Sequence, residues 1–209
     1  VMTFNGKSHD VSIVDAVAGT VVATVPAGGK PEFAQLGANG QAWFNVEDTS
    51  EMAVLDPRAG QVVRRLPLAP CDGPSGLAVD DRQRLYAVCE NHQMVVVSPD
   101  AKVLARPAIG AGPDGVAWMD GAAWSANGQD GTISVVETTS GRFATSSADR
   151  LPGTIVTGTR SLPTNLLVRA CTRGPGPFGP VAAPSTRIEI EGSSSIRFIT
   201  SSRRSPSRK

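Results

Sequence analysis

The chain of 209 residues is 40% hydrophobic, 5% aromatic and 19% charged, with 22 glycines, 16 prolines and a formal net charge of +1 at pH 7. No run is long and apolar enough to span a bilayer as a helix, and no segment carries a convincing helical period. The near-neutral total averages two unlike halves: residues 150 to 209 hold nine Arg and one Lys against Glu189 and Glu191, a net +8, so the first 149 residues carry −7.

The chain opens on a predicted β-hairpin, Phe4 to Asp15, and then reaches the Gly/Pro loop Gly28-Gly29-Lys30-Pro31. Four short strands are predicted behind that loop: Phe33 to Leu36, Gln41 to Val46, Glu51 to Leu55 and Gln61 to Leu66. Turn residues separate them at Asn39-Gly40, Glu47 to Ser50 and Asp56 to Gly60. Asp72-Gly73-Pro74 opens the next unit, with strands at Gly76 to Val79, Leu85 to Cys89, Met94 to Val97 and Val103 to Arg106. Gly110-Ala111-Gly112-Pro113 opens another, which starts again at Gly115. Runs such as Val62-Val63 and Val95-Val96-Val97 are β-branched, which suits a pleated surface better than a helix.

The units return at a fixed interval. From Asp15 to Asp56 is 41 positions, from Asp56 to Ser98 is 42, and from Ser98 to Glu137 is 39. Four antiparallel strands in a unit of that length form the blade of a β-propeller, an all-β architecture. Leucine-rich, ankyrin and tetratricopeptide repeats are shorter and need a helix in each unit, so they fit poorly. About three and a half blades are predicted, an incomplete arc over residues 1–143, with the earlier blades and any export signal expected outside this chain. The lack of a leader sequence here says nothing of compartment.

After Gly141-Arg142-Phe143 the period stops, and residues 144–209 form an Arg-, Ser-, Pro- and Gly-rich tail. Three readings stand for it. It is natively disordered for want of apolar surface; it is a frameshifted or otherwise non-native end, as its Arg excess over Lys and its blocks such as 174–180 suggest; or it is a nucleic-acid arm, the least favoured of the three.

The strings HDVSIVDAVAGTVVATVPAGGKPEF, LAPCDGPSGLAVDDRQRLYAVCEN and AGPDGVAWMDGAAWSANGQDGTISVVE resemble the YncE-like family of YVTN-repeat propellers. The resemblance covers Asp10 to about Gly141, and rests on entry loop, hairpin and acid-ended strand recurring in order. It implies a seven-bladed propeller, commonly exported to the bacterial periplasm or beyond the cell, with binding roles more often than a proven reaction. It hands over no catalytic residue set. Cys pairs like Cys71 and Cys89, flanking this strand pair, are familiar from such proteins, and an exported domain allows a disulfide. Whether it forms is open, because loop geometry decides whether the Cα atoms come within about 7 Å.

In an up-and-down blade, the links from fourth to first strand and from second to third strand share one face. That loop face collects Lys30, Glu47, Asp48, Cys71, Asp72, Cys89, Glu90, Asn91, His92, Asp114, Asn127 and Asp130. Lys30, His92, Asp114 and Asn127 are its candidate ligand contacts. The turns near Asn39-Gly40, Asp80 to Arg82 and Asp120-Gly121 fall on the opposite face.

Two readings compete for Glu47, Asp48, Glu90, Asn91 and Asp130: a shared oxygen-rich site for a divalent cation, or hairpin chemistry in which short polar side chains bond locally to backbone. Recurrence at equivalent turns favours the second. His9 and His92 also fall in those turns, without a second His or Cys at metal-ligand spacing. Asp15, Asp56 and Glu137 are expected to end third strands and accept hydrogen bonds from the following turn. Trp43, Trp118 and Trp124 read as blade packing, with ligand stacking by Trp118 the sharper alternative. No Gly-x-Ser-x-Gly elbow or Walker loop is present, and Ser75 and Ser125 have no base nearby in sequence.

The functional expectation is an exported propeller that binds a protein or small ligand on its loop face, with no catalytic residue and no cofactor assigned beyond that cation. GPDGVAWMDGAAW also resembles the lactonase propellers of the gluconolactonase and SMP-30 group, so a metal-dependent hydrolase is the alternative. A third reading is a gene fragment without function of its own.

Overall fold

The computed structural model describes residues 1–139, 142–148, 188–190 and 196–198. The readings of the rest of the tail, Cys171 included, lie outside the described residues. Four antiparallel sheets follow one another along the chain. The first holds β1 (Met2–Asn5), β2 (Asp10–Asp15) and β3 (Thr20–Pro26). The second holds β4 (Pro31–Leu36), β5 (Ala42–Val46), β6 (Glu51–Asp56) and β7 (Gln61–Pro67). The third holds β8 (Pro74–Val79), β9 (Leu85–Cys89), β10 (Gln93–Val97) and β11 (Val103–Ala105), and the fourth β12 (Pro113–Met119), β13 (Ala122–Asn127), β14 (Thr132–Thr139) and β15 (Arg142–Ala148). A separate short pair, β16 (Ile188–Ile190) and β17 (Ile196–Phe198), is also antiparallel.

In every sheet, strand order is sequence order, which makes each an up-and-down blade of a β-propeller. The first blade begins at the place of a second strand: β1 contacts β4 as β5 contacts β8 and β9 contacts β12. Inner strands β4, β8 and β12 pack in succession. The predicted strands and the observed ones agree to within two residues wherever the four-strand pattern was read. Glu137 departs from expectation. It lies inside β14, opposite Ala144, and does not end a strand, because pairing with β15 carries β14 on to Thr139.

The middle strands are buried on both sides, and their two residue sets face different neighbours. Ala42, Phe44 and Val46 of β5, with Ala53 and Leu55 of β6, join Val11, Val25 and Phe4 of the first blade in one core. The intervening Trp43, Met52 and Val54 face the third blade, where they meet Leu77, Leu85, Ala87 and Val95. The third blade repeats the alternation, turning Tyr86, Val88, Met94 and Val96 toward Ala123, Val136 and Trp118 of the fourth. This is the period-two rule of a strand applied twice. Phe44, Tyr86, Met52 and Met94 are each fully buried, and such side chains contribute about 1.5–3 kcal/mol apiece over exposure.

Outer strands are mostly exposed, and the first three carry the same irregularity. Their pairing slips by one residue, so Val22, Val63 and Leu104 have no partner across the ladder. All three are exposed. A bulge there twists the free edge and discourages strand addition by another chain.

Inner strands meet closely. A Cβ on Gly76 would lie 2.8 Å from the Asp114 carbonyl oxygen and 3.0 Å from the Gly115 Cα. Buried Asn45 fastens the same spot by donating from Nδ2 to the carbonyls of Ser75 (2.9 Å) and Gly76 (3.2 Å). Gly76→Ala therefore forces apart backbone that no side-chain rotation relieves, and a loss of about 1–3 kcal/mol is expected. Urea unfolding of the full chain measures it; an unchanged midpoint shows that the inner strands are not in close contact.

Candidate functional site

The loop face is assembled by one device repeated in three blades. In the second blade the Lys30 N–H donates to Asp48 Oδ1 at 2.7 Å, while the Lys30 carbonyl accepts from the Glu47 N–H at 2.9 Å. In the third, Asp72 N–H donates to Asn91 Oδ1 at 3.1 Å and Asp72 O accepts from Glu90 N–H at 2.8 Å. In the fourth, Ala111 N–H donates to Asp130 Oδ2 at 2.5 Å and Ala111 O accepts from Gln129 N–H at 3.1 Å. Each entry loop is thus clasped to the second hairpin of its own blade. Asp and Asn suit the task because a short polar side chain reaches backbone N–H groups from a turn.

A second contact closes the first three blades. His9, Ser50 and His92 take left-handed backbone, with φ of 57°, 52° and 63°. Their carbonyls accept from Ala27, Leu68 and Ile109, at 2.8, 3.0 and 3.0 Å. The side chains of His9 and His92 are exposed.

Five residues were candidates for a cation site, and the structure gives them separate surroundings. Glu47 and Asp48 sit with Lys30, Glu90 packs over Gly73, Asn91 also donates to the Pro70 carbonyl at 2.6 Å, and Asp130 holds Ala111. Among the described residues no three His, Cys, Asp or Glu side chains gather around one point.

The strongest electrostatic feature of this face is the Lys30 ammonium, which pairs with Glu32 Oε1 at 3.0 Å and with Glu47. Burial pulls the Lys30 pKa down, but hydrogen bonds to Glu47 and Glu32 outweigh it and leave it raised. Burial also pushes the Glu32 carboxyl up, against the pull of Lys30. Asp114 is half-buried, and its carbonyl and that of Pro113 each lie 3.4 Å from the Ser75 hydroxyl, which donates between the blades.

Asn127 does not present its amide to solvent. It is 1% exposed, accepts from the Ser125 hydroxyl at 3.2 Å, and donates to Thr132 and Ser134 at 3.0 and 2.9 Å. Cys71 and Cys89 form a disulfide with Cα atoms 5.5 Å apart, beside the third blade's clasp. Trp43 is 7% exposed in the core between the second and third blades. Trp118 stacks on Tyr86, ring centroids 5.3 Å apart, and Trp124 donates to the Met119 carbonyl at 3.3 Å.

On the opposite face, Asp15 Oδ1 accepts from Val17 and Ala18, and Asp56 Oδ1 from Arg58 and Ala59, each at the end of its strand. The third blade has Ser98 there, and Asp100 accepts a hydrogen bond from the Ser98 hydroxyl at 2.5 Å and pairs with Lys102 at 2.7 Å. A buried network escaped sequence reading. Asp80 accepts from the Arg84 Nε at 2.5 Å and the Tyr86 hydroxyl at 2.9 Å, while Arg84 also reaches Thr138 and lies 5.7 Å from the Phe143 ring.

No family model matches the chain, and no curated protein matches it. Among solved structures it is similar to a streptogramin B lyase, at 18% identity over 72% of this chain and 51% of that one, with a TM-score of 0.63. It is also similar to a catalytically inactive virginiamycin B lyase from Staphylococcus aureus with quinupristin, at 17% identity over 73% and 55% of the two chains, TM-score 0.59. A third is the dihydro-heme d1 dehydrogenase NirN, at 13% identity over 71% and 34%, TM-score 0.59. At these identities the likeness shows the propeller fold alone. The chain spans about half the length of the two lyases.

Two outcomes follow from this geometry. The disulfide spans a sequence separation of 18, so replacing both cysteines with serine is expected to cost about 3 kcal/mol in urea unfolding. Equal stability of the two proteins would show that the bridge restrains nothing. Hydrogen bonds from Lys102 and then Ser98 hold the Asp100 pKa down to about 2. Its contribution to folding is whole above the unfolded carboxylate's pKa of about 4 and is lost as pH falls through the folded value. Carboxyl 13C titration should place its midpoint near 2, and Lys102→Met should raise it more than Ser98→Ala does.

Proposed function

We propose that this chain belongs to an exported, YncE-like propeller that acts as a binding scaffold, with the loop face as its contact surface. The observation that carries the reading is the repeated clasp. Asp48, Asn91 and Asp130 each fasten an entry loop to a hairpin of the same blade, which makes a rigid platform from loops that would otherwise be mobile. Side chains left on the outside of that platform, such as Glu90 and His92, are exposed and available for contact. The Cys71–Cys89 bridge supports an oxidising compartment.

A metal-dependent hydrolase of the gluconolactonase and SMP-30 kind is the second reading, supported by the resemblance of GPDGVAWMDGAAW to that group. Its donor set fits poorly, because the candidate carboxylates do not converge among the described residues. Calorimetric uptake of calcium or zinc by the protein, with metal-dependent lactone hydrolysis, would replace the scaffold reading with this one.

Photo-crosslinking in the native compartment tests the scaffold directly. A benzoylphenylalanine at His92 or Asp72 on the loop face is expected to capture a discrete partner, while one at Arg58 or Asp81 on the other face captures none. Equal capture from both faces, or none from the loop face, overturns the proposal.

A further inference from the structure

The face away from the loops carries a cavity of about 480 Å³ between the second and third blades. That volume lies in the range of small-molecule sites. Its walls come from the first hairpin of the second blade, from β6 and β7, and from the first hairpin of the third blade. Trp43, Val54 and Leu85 supply buried apolar surface, and Asn39, Arg64 and Gln83 bring polar groups to it.

Among the described residues Arg64 is the single charged one lining this cavity. It donates to the Asp100 carbonyl at a long 3.5 Å and has no ion-pair partner among the described residues. The net charge of residues 1 to 149 is −7, so an unneutralised cation beside apolar walls marks a local reversal of the prevailing field. One further group is unsatisfied: Gln83 Oε1 is buried without a donor among the described residues.

The backbone of Gln83 is set by a turn that recurs in the blades: its φ is 61°, as Gly40 and Ala101 have 78° and 66°, and its N–H donates to the Asp80 carbonyl at 2.9 Å. Asp80 belongs to the buried network with Arg84 and Tyr86. Gln83 is therefore fixed at its backbone by a rigid neighbour, while its side-chain Oε1 stays without a donor among the described residues beside the cavity.

We infer that this inter-blade cavity binds a small organic acid with a flat apolar body, its carboxylate on Arg64 and a hydroxyl or N–H donor at the opposite end meeting the Gln83 amide. Guanidinium and carboxylate match in shape as well as charge. The ring lies against Trp43 and Leu85. The site is on the face opposite the loops and does not depend on the proposed scaffold function.

The probe is 4-hydroxybenzoate, titrated into the full chain and followed by 1H–15N NMR. Saturable shifts at the Trp43 indole and the Gln83 amide are expected. Arg64→Gln should weaken binding at least tenfold, and Arg58→Gln, an exposed arginine outside the cavity, should leave it unchanged. 4-Methylphenol keeps the ring and donor but lacks the charge, so on the unaltered protein it should bind at least tenfold more weakly. Equal affinity for the two compounds, shifts elsewhere, or no saturation overturns the inference, as does an Arg64→Gln protein that is folded and binds as well as the parent.

Discussion

The second and third blades are each a wall shared by two cores, and that two-sided burial governs everything else in the molecule. A strand in a two-layer sandwich buries alternate residues and offers the others to water. Here both sets are buried, so β5, β6, β9 and β10 read as nearly continuous apolar runs although their sheets are antiparallel. Polar groups in the middle strands are received by a neighbouring blade or, as with Asn127, Ser125 and Ser134 of the fourth, by one another. Asn45 meets the third blade's backbone, and Ser75 meets the fourth's.

That constraint expels charge to the two ends of the blades, where it is used differently. On the loop face, Asx side chains bond to backbone N–H groups within a blade. On the other face, bonding runs partly between blades, as when Arg84 of the third reaches Thr138 of the fourth. Contacts within a blade fix the shape of each unit. Contacts between blades fix the order and angle in which units stack.

The same division explains what could be read from the sequence. Strand positions and the blade plan were legible, because alternating burial and turn residues are local signals repeated along the chain. Asp15 and Asp56 were legible as turn acceptors for the same reason. The clasps were half legible. Recurrence showed that Asp48, Asn91 and Asp130 were turn residues, but not that their partners were Lys30, Asp72 and Ala111, some 18 or 19 residues earlier. Asn127 was misread as a loop-face contact, since its inward direction depends on Ser125 and Ser134. Glu137 was misplaced because only pairing with β15 shows where β14 ends.

Asp80, Arg84 and Tyr86 share one hairpin of the third blade, but turn residues there read as solvent-facing, and only the packing of Thr138 and Phe143 from the fourth blade shows that the group is buried. Comparison of Arg84 with Arg64 shows what that means physically. Arg84 is nearly buried, and its charge is met by a carboxylate, with a hydroxyl and aromatic faces around it. Removing Asp80 would leave a buried charge uncompensated, and through Thr138 and Phe143 the same arginine ties the third blade to the fourth. Arg64 lies near the corresponding interface between the second and third blades but has, among the described residues, only a distant carbonyl. A partly solvated guanidinium tolerates that poverty without a large penalty, and retains its capacity for a new acceptor. Two interfaces of one repeat therefore serve unlike ends: one has converted its arginine into structure, and the other has kept an unpaired cation beside an apolar cavity.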